Sequence, residues 1–401
     1  VTGTSLREGR AAKVLVLAGI VLLALNLRPT AVSVGPVLGE IRDGLGMSDT
    51  EAGVLTSLPV IAFAMFGALA PRLAGWVGPH RLATVALVGV VVGLFGRSRV
   101  HDVASFLALS LLALAGMATA NVVLPSLVKL HFPRRVGQMT AVYSTSLAVG
   151  LTAASVLTVP ISQATGTWRD GLAAWSVFAL VALVPWLALS RHDSTSEVET
   201  SAGERIGLAQ VARTRVGVLL ALAFGLQSLL AYSIFGWFAE VYRDAGFSPS
   251  TAGLLLGVIT GTSIPLSSFI PALAGRLGDV TLIVWVLVLC YPVGFVGLIL
   301  APHALGWLWA VVIGVATCTF PLVLTLIGLR ARTPAGTAAL SGFSQSVGYL
   351  IAALGPFGFG LLHDLSGGWT VPILGLAVVV APMLLATLGV AKPVFVEDQL
   401  T

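Results

Sequence analysis

The apolar residues of this chain fall in long blocks, and nearly all the charge falls in the short stretches between them. The first block runs from Val14 to Leu25 and continues, past Arg28, as a Gly/Val/Pro stretch without charge until Glu40. A helix rises ~1.5 Å per residue, so about 20 apolar residues cross a ~30 Å hydrocarbon layer. Blocks of that length recur throughout. They predict twelve spans, over 13–37, 50–74, 80–97, 103–128, 137–161, 170–190, 214–240, 250–274, 280–301, 304–329, 336–361 and 370–391. The expected fold class is all-α, integral to the membrane. Most connections are short. One is long and polar, 191–213, with Asp193, Glu197, Glu199 and Glu204, and reads as a linker. It predicts an N-terminal six-helix half over 1–190 and a C-terminal six-helix half over 214–401.

Composition sharpens this reading. The chain is 57% hydrophobic and 10% charged, with a mean hydropathy of +0.98. A soluble domain carries roughly 25% charged residues, so a soluble fold is excluded. Cys290 and Cys318 both lie inside predicted spans, which argues against a disulfide framework or a cysteine metal site. The histidines His80, His101, His131, His192, His303 and His363 sit in loops or at span ends. None joins a Ser or Cys and an acid in a catalytic pattern, and no glycine loop ends in Lys-Ser or Lys-Thr. The chain reads as a non-enzyme without metal or cofactor, with no nucleic-acid partner. A monomer is the default.

Positive charge sets the orientation. With the N-terminus in the cytoplasm, Arg7, Arg10, Lys13, Arg72, Arg81, Lys129, Arg134, Arg135 and most later basic residues fall inside. The outside takes only Arg42, Arg97, Arg99, Arg169 and Arg243. Both termini are expected in the cytoplasm, and the protein in the cytoplasmic (inner) membrane. The basic leader runs straight into a full-length span, so no cleaved signal is expected.

Arg28 belongs to neither group. It lies about midway between Lys13 and Glu40, near the centre of the first span. A guanidinium there costs from about 3 to more than 10 kcal/mol unless it faces a bundle interior or a wet cavity. Pro29 withholds a backbone N–H, so opened carbonyls can line the same cavity. Every Asp and Glu lies in a loop or at a span end, with Glu240 closest to the membrane. A buried carboxylate partner for Arg28 is therefore not expected. A ligand, water or uncharged acceptors are.

The halves also repeat each other. Ser48-x-x-x-Ala52-Gly53-x-Leu55 returns as Ser248-x-x-x-Ala252-Gly253-x-Leu255, and Tyr143-Ser144-x-Ser146 as Phe343-Ser344-x-Ser346. Ala68-Leu69-Ala70-Pro71-Arg72-Leu73 is echoed by Ala272-Leu273-Ala274-Gly275-Arg276-Leu277. Two pseudo-symmetric halves with a site at their interface is transporter architecture.

The sequence thus resembles the major facilitator superfamily. Gly67 to Gly75, through Gly78-Pro79-His80-Arg81, is similar to that superfamily's basic loop between spans 2 and 3, with Pro71 where an Asp is usual. Asn26-Leu27-Arg28-Pro29, Asn121-Val-Val-Leu-Pro125 and Gly225-Leu-Gln227 through Tyr232 and Trp237 resemble the cyanate / 2-nitroimidazole transporter family. The resemblance implies alternating access and a small polar or anionic substrate, such as cyanate, a carboxylate or a nitro-bearing molecule. It also implies that spans 1, 4, 7 and 10 line the cavity, with 2, 5, 8 and 11 beside them.

Within those spans, Arg28 is the expected anchor, because its fork of donors fits a planar acceptor bidentately. Asn26, Asn121, Tyr143, Gln227, Tyr232, Trp237, Gln345 and Tyr349 are the further candidate substrate-binding residues. Asn121 could equally bond a neighbouring span, and Trp237 could equally anchor the outer interface. Pro29, Arg72, Arg81 and Arg276 are candidates for gating. Two other readings stay open: a drug efflux pump of the same fold, and a non-transporting sensor. Proton coupling is also open, through a rim acid such as Glu240 or Asp170.

Overall fold

A computed structural model of the chain describes residues 10–132, 135–190 and 207–400. Among the described residues, twelve helices are long and apolar enough to cross a membrane. Spans 1 to 6 are Arg10–Val32, Asp49–Val77, Pro79–Arg97, Val103–His131, Val136–Thr165 and Trp168–Leu189. Spans 7 to 9 are Arg215–Asp244, Pro249–Leu277 and Thr281–Leu300. Span 10 is broken into Gly306–Thr317 and Thr319–Leu329, span 11 into Pro334–Ala352 and Leu354–Ser366, and span 12 is Thr370–Leu388. Most of the expected linker lies outside the described residues; its last part forms a short helix, Leu208–Ala212.

The sequence repeat has a physical basis. Ser48 and Ser248 are the N-caps of spans 2 and 8, accepting from the N–H groups of Glu51 and Thr251, both at 3.2 Å. Ser48 and Glu51 form a full capping box. Gly53 and Gly253 let these spans meet a helix of the opposite half. A Cβ at Gly53 would lie 3.1 Å from Phe357 Cα of span 11, and one at Gly253 2.9 Å from Ser155 O of span 5.

Span 1 departs from expectation. The helix does not open at Pro29 but runs through it to Val32. Pro29 deprives Leu25 O of its partner, and Gly150 of span 5 packs so closely there that any Cβ would collide with that oxygen. Thr30 Oγ1 donates to Asn26 O at 3.1 Å. The break comes at Gly35-Pro36, where a 3-10 turn, Gly35–Val37, leads into a short helix, Leu38–Leu45. Arg97, assigned by charge counting to an outer loop, is in fact 1% exposed. Its guanidinium donates to Thr30 O at 3.4 Å and Ser33 Oγ at 3.1 Å, covering acceptors that the broken span leaves open.

The two sets of six spans meet along spans 2 and 11 and along spans 5 and 8. At the end carrying the 1–2 and 7–8 connections they touch backbone to backbone. A Cβ at Gly236 would lie 2.8 Å from Thr56 Cβ, and one at Gly360 2.6 Å from Asp49 O. Ser57 Oγ donates to Ala353 O at 2.9 Å, at the break in span 11. At the opposite end, Gly67 meets only Val122 of its own half and Gly275 meets nothing within 4 Å. Met65 and Phe269 stand 53% and 61% exposed there. The bundle is closed at the first end and open at the second.

The C-terminal tail docks at the open end. Val396 N donates to Arg330 O at 2.9 Å, and the N–H groups of Arg332 and Thr333 donate to Glu397 Oε1 at 2.9 Å each. Partial burial opposes charge on Glu397, but these donors outweigh it and hold the carboxyl below its usual range. A depressed pKa stabilises docking above the ordinary carboxylate range, and that stability is lost as pH falls through the depressed value. Acidification should therefore release the tail, and Glu397→Gln should release it at neutral pH. Sensitivity to carboxypeptidase reads both.

Candidate substrate site

Arg28 sits half-buried in span 1, where spans of the two halves face each other. Tyr232 on span 7 lies within its electrostatic reach. Tyr349 of span 11 is within its electrostatic reach. Among the described residues Arg28 has no ion pair.

Tyr349 is held rigidly. Its ring stacks on Phe63 of span 2, with centroids 5.0 Å apart and 13° between planes. Phe224 meets it edge-on at 5.1 Å and 88°. That clamp fixes the ring and ties the halves together. Tyr232 packs edge-on against Phe235 at 6.2 Å. Asn121 of span 4 is half-buried, and its amide has no hydrogen-bond partner among the described residues.

Other candidates lie elsewhere. Asn26 is 5% exposed and spends its amide on Leu22 O at 2.8 Å and Phe178 O at 3.2 Å, against span 6. Trp237 is fully buried, donating to Pro356 O at 3.1 Å. It lies among Phe359 and Trp369 near the closed end, away from any lipid interface. Gln227 is fully buried, with Nε2 on Ser228 Oγ at 2.8 Å and Oε1 unpartnered. Gln345 donates to Ser341 Oγ at 2.6 Å, and Tyr143 is half-buried on span 5. Arg81 is exposed, donating to Ser190 O at 3.4 Å, and Arg276 is exposed at the end of span 8. The Arg72 side chain lies outside the described residues.

Sequence reasoning missed a set of cross-half ion pairs at the closed end. Arg42 Nη1 donates to Glu240 Oε1 at 2.8 Å, and Arg243 Nη1 to Glu40 Oε2 at 2.6 Å. A signal existed. Glu40-Ile41-Arg42 and Glu240-Val241-Tyr242-Arg243 occupy matching places in the repeat, and each acid bonds the other segment's arginine.

Two broken, kinked helical sets around a central cation, closed at one end and open at the other, define a membrane carrier. Residues 15–356 match the model of the Major Facilitator Superfamily. The chain belongs to that superfamily and is a multi-pass membrane transporter, not an enzyme. It is 33% identical over 378 residues to the 2-nitroimidazole transporter of Escherichia coli (strain K12), covering 94% of this chain and 95% of that one. It is 31% identical over 374 residues to the cyanate transport protein of the same strain, covering 93% and 96%. An uncharacterized transporter of Bacillus subtilis (strain 168) is 37% identical over 358 residues, covering 88% of each chain. A nucleoside transporter crystal structure superposes with a TM-score of 0.77 over 94% of this chain and 99% of that one, at 13% identity. At that identity the likeness shows the fold alone.

Proposed function

We propose that the chain is a secondary transporter of a small planar anion or nitro-bearing solute, bound by Arg28 at the centre of the bundle. The observation that carries this reading is the Arg28 cation, which has no ion pair among the described residues and lies within electrostatic reach of Tyr232 and Tyr349. The names of two relatives, for cyanate and for 2-nitroimidazole, support the same class. Asn121 completes the polar lining, and the two halves rock about this site. The excess of basic residues in the loops at the open end supports a cytoplasmic open end, with both termini inside. Efflux of a neutral nitroheterocycle is the second reading, favoured by the 2-nitroimidazole relative.

A ligand that binds only the folded state raises the melting point by mass action. The test is a thermal-shift panel of cyanate, benzoates, nitroimidazoles and their neutral amide or methyl analogues. Anionic or nitro compounds should stabilise the protein and the analogues should not. Equal stabilisation by the neutral analogues would sink the proposal.

A further inference from the structure

The closed end of the first six spans holds a second arginine without a counter-charge. Arg97 is the last residue of span 3 and is almost fully buried. No carboxylate pairs with it among the described residues. Its Nη1 donates to Thr30 O and its Nη2 to Ser33 Oγ, both neutral acceptors, while the Nε–H is buried with no acceptor. The acids of the adjoining loops are engaged elsewhere. Asp170 faces Arg99 at 3.7 Å, and Asp102 accepts from Ser105 N at 2.8 Å. Arg169 adds further positive field beside Arg97, donating to Ser98 O at 3.3 Å. A buried charge is costly unless it is paired.

Two fully buried hydroxyls share the deficit. Ser33 accepts from Arg97, and its own O–H has no acceptor among the described residues. The hydroxyl of Ser110, on span 4, has no partner at all. Register brings Ser110 to the level of Arg97. A Cβ at Gly93 would lie 2.5 Å from Ala113 N, and one at Gly96 3.1 Å from the Leu109 side chain. Spans 3 and 4 are antiparallel, so these contacts set Arg97 opposite residues 109 and 110. The other hydroxyls here are satisfied: Thr30 Oγ1 donates to Asn26 O, and Ser98 Oγ to Phe95 O.

Arg97 Nε, Ser33 Oγ and Ser110 Oγ therefore present three buried donors at one level and no acceptor to match them. A water accepts from two donors but brings two hydrogens that need acceptors in turn. An anion only accepts, and it supplies the missing negative charge. We propose that a small monovalent anion of the size of chloride binds here, between spans 1, 3 and 4. The backbone contact of spans 3 and 4 selects a halide over a larger oxyanion. The ion ties the broken end of span 1, at Ser33, to its two neighbours, so it stabilises the fold of the first six spans. The inference rests on the surroundings of Arg97 and not on the solute bound at Arg28.

The test is the melting point of the purified protein as sodium chloride replaces sodium gluconate at constant ionic strength. Chloride at tenfold its midpoint should raise the melting point by about 2 °C or more. Bromide should substitute for it, and sulfate should not. Arg97→Met should abolish the response. Ser110→Ala removes one donor to the ion and should raise the chloride midpoint about tenfold. It carries the test if Arg97→Met does not fold. Arg28→Ala should leave the response intact. Equal melting points in chloride and gluconate leave the donors to water and overturn the proposal. Equal stabilisation by sulfate marks a general salt effect and also overturns it. So does a response lost in Arg28→Ala, which places the ion at the substrate site, and so does a midpoint that Ser110→Ala leaves unchanged.

Discussion

On the proposed function, Arg28→Ala should give a folded, membrane-inserted protein that no longer transports anions. The guanidinium has no carboxylate partner among the described residues, so removing it leaves no orphaned negative charge inside the bundle. The empty carrier is also relieved of a costly cation inside the bundle. Folding stability should therefore change little, or rise. Binding behaves differently. Truncating one partner of a desolvated, hydrogen-bonded charge pair costs 2–5 kcal/mol or more, roughly thirtyfold to several thousandfold in affinity. Arg28→Lys should fall between the two, because lysine keeps the charge and loses the fork. Uptake of the best anion from the thermal-shift panel into proteoliposomes measures all three proteins. Uptake by Arg28→Ala within threefold of the unaltered protein would refute the anchor role.

Gly35→Val should also stop transport, but for a geometric reason. A Cβ on Gly35 would collide with the backbone oxygen of Phe235 on span 7, across the interface between halves. A backbone carbonyl cannot rotate away as a side-chain tip can. The closed end would therefore have to part, and the break that leads from span 1 into the short helix would shift with it. Overpacking of this kind typically costs 1–3 kcal/mol or more in a close-packed interface. Only the closed state makes this contact, so the cost falls on that state and displaces the equilibrium about tenfold or further towards opening. A thiol reagent applied from the Glu40 side should then label a cysteine placed at Thr56, which is 6% exposed in the closed bundle. Labelling no faster than in a Gly35 background would contradict the prediction. Binding of anions at Arg28 should survive, which separates this variant from Arg28→Ala.

Some of this protein follows from sequence alone, and the reason is the solvent. A bilayer admits a backbone only if its polar groups are satisfied within each segment, so long apolar blocks must be helices. That rule places the spans near their observed positions without any tertiary information. It also isolates Arg28, because a charge amid apolar neighbours stands out in one dimension. The repeat was legible for a similar reason. Ser48 and Ser248 are caps, and Gly53 and Gly253 are contact points, so their residue types are fixed by local geometry.

What sequence could not give is which side chains meet. Asn26 and Tyr232 look alike as polar residues in cavity-lining spans. Only packing turns Asn26 towards Phe178 O and Tyr232 towards Arg28. Arg97 looks like a loop cation, because its acceptors, Thr30 O and Ser33 Oγ, lie far away along the chain. Pro29 looks like the break in span 1, yet Gly150 accommodates the freed carbonyl and the break moves to Gly35-Pro36. The ion pairs of the closed end, likewise, are loop charges until two halves bring them together. Burial and partner choice are properties of the assembled bundle, set by contacts between residues far apart along the chain, and only the tertiary structure decided them.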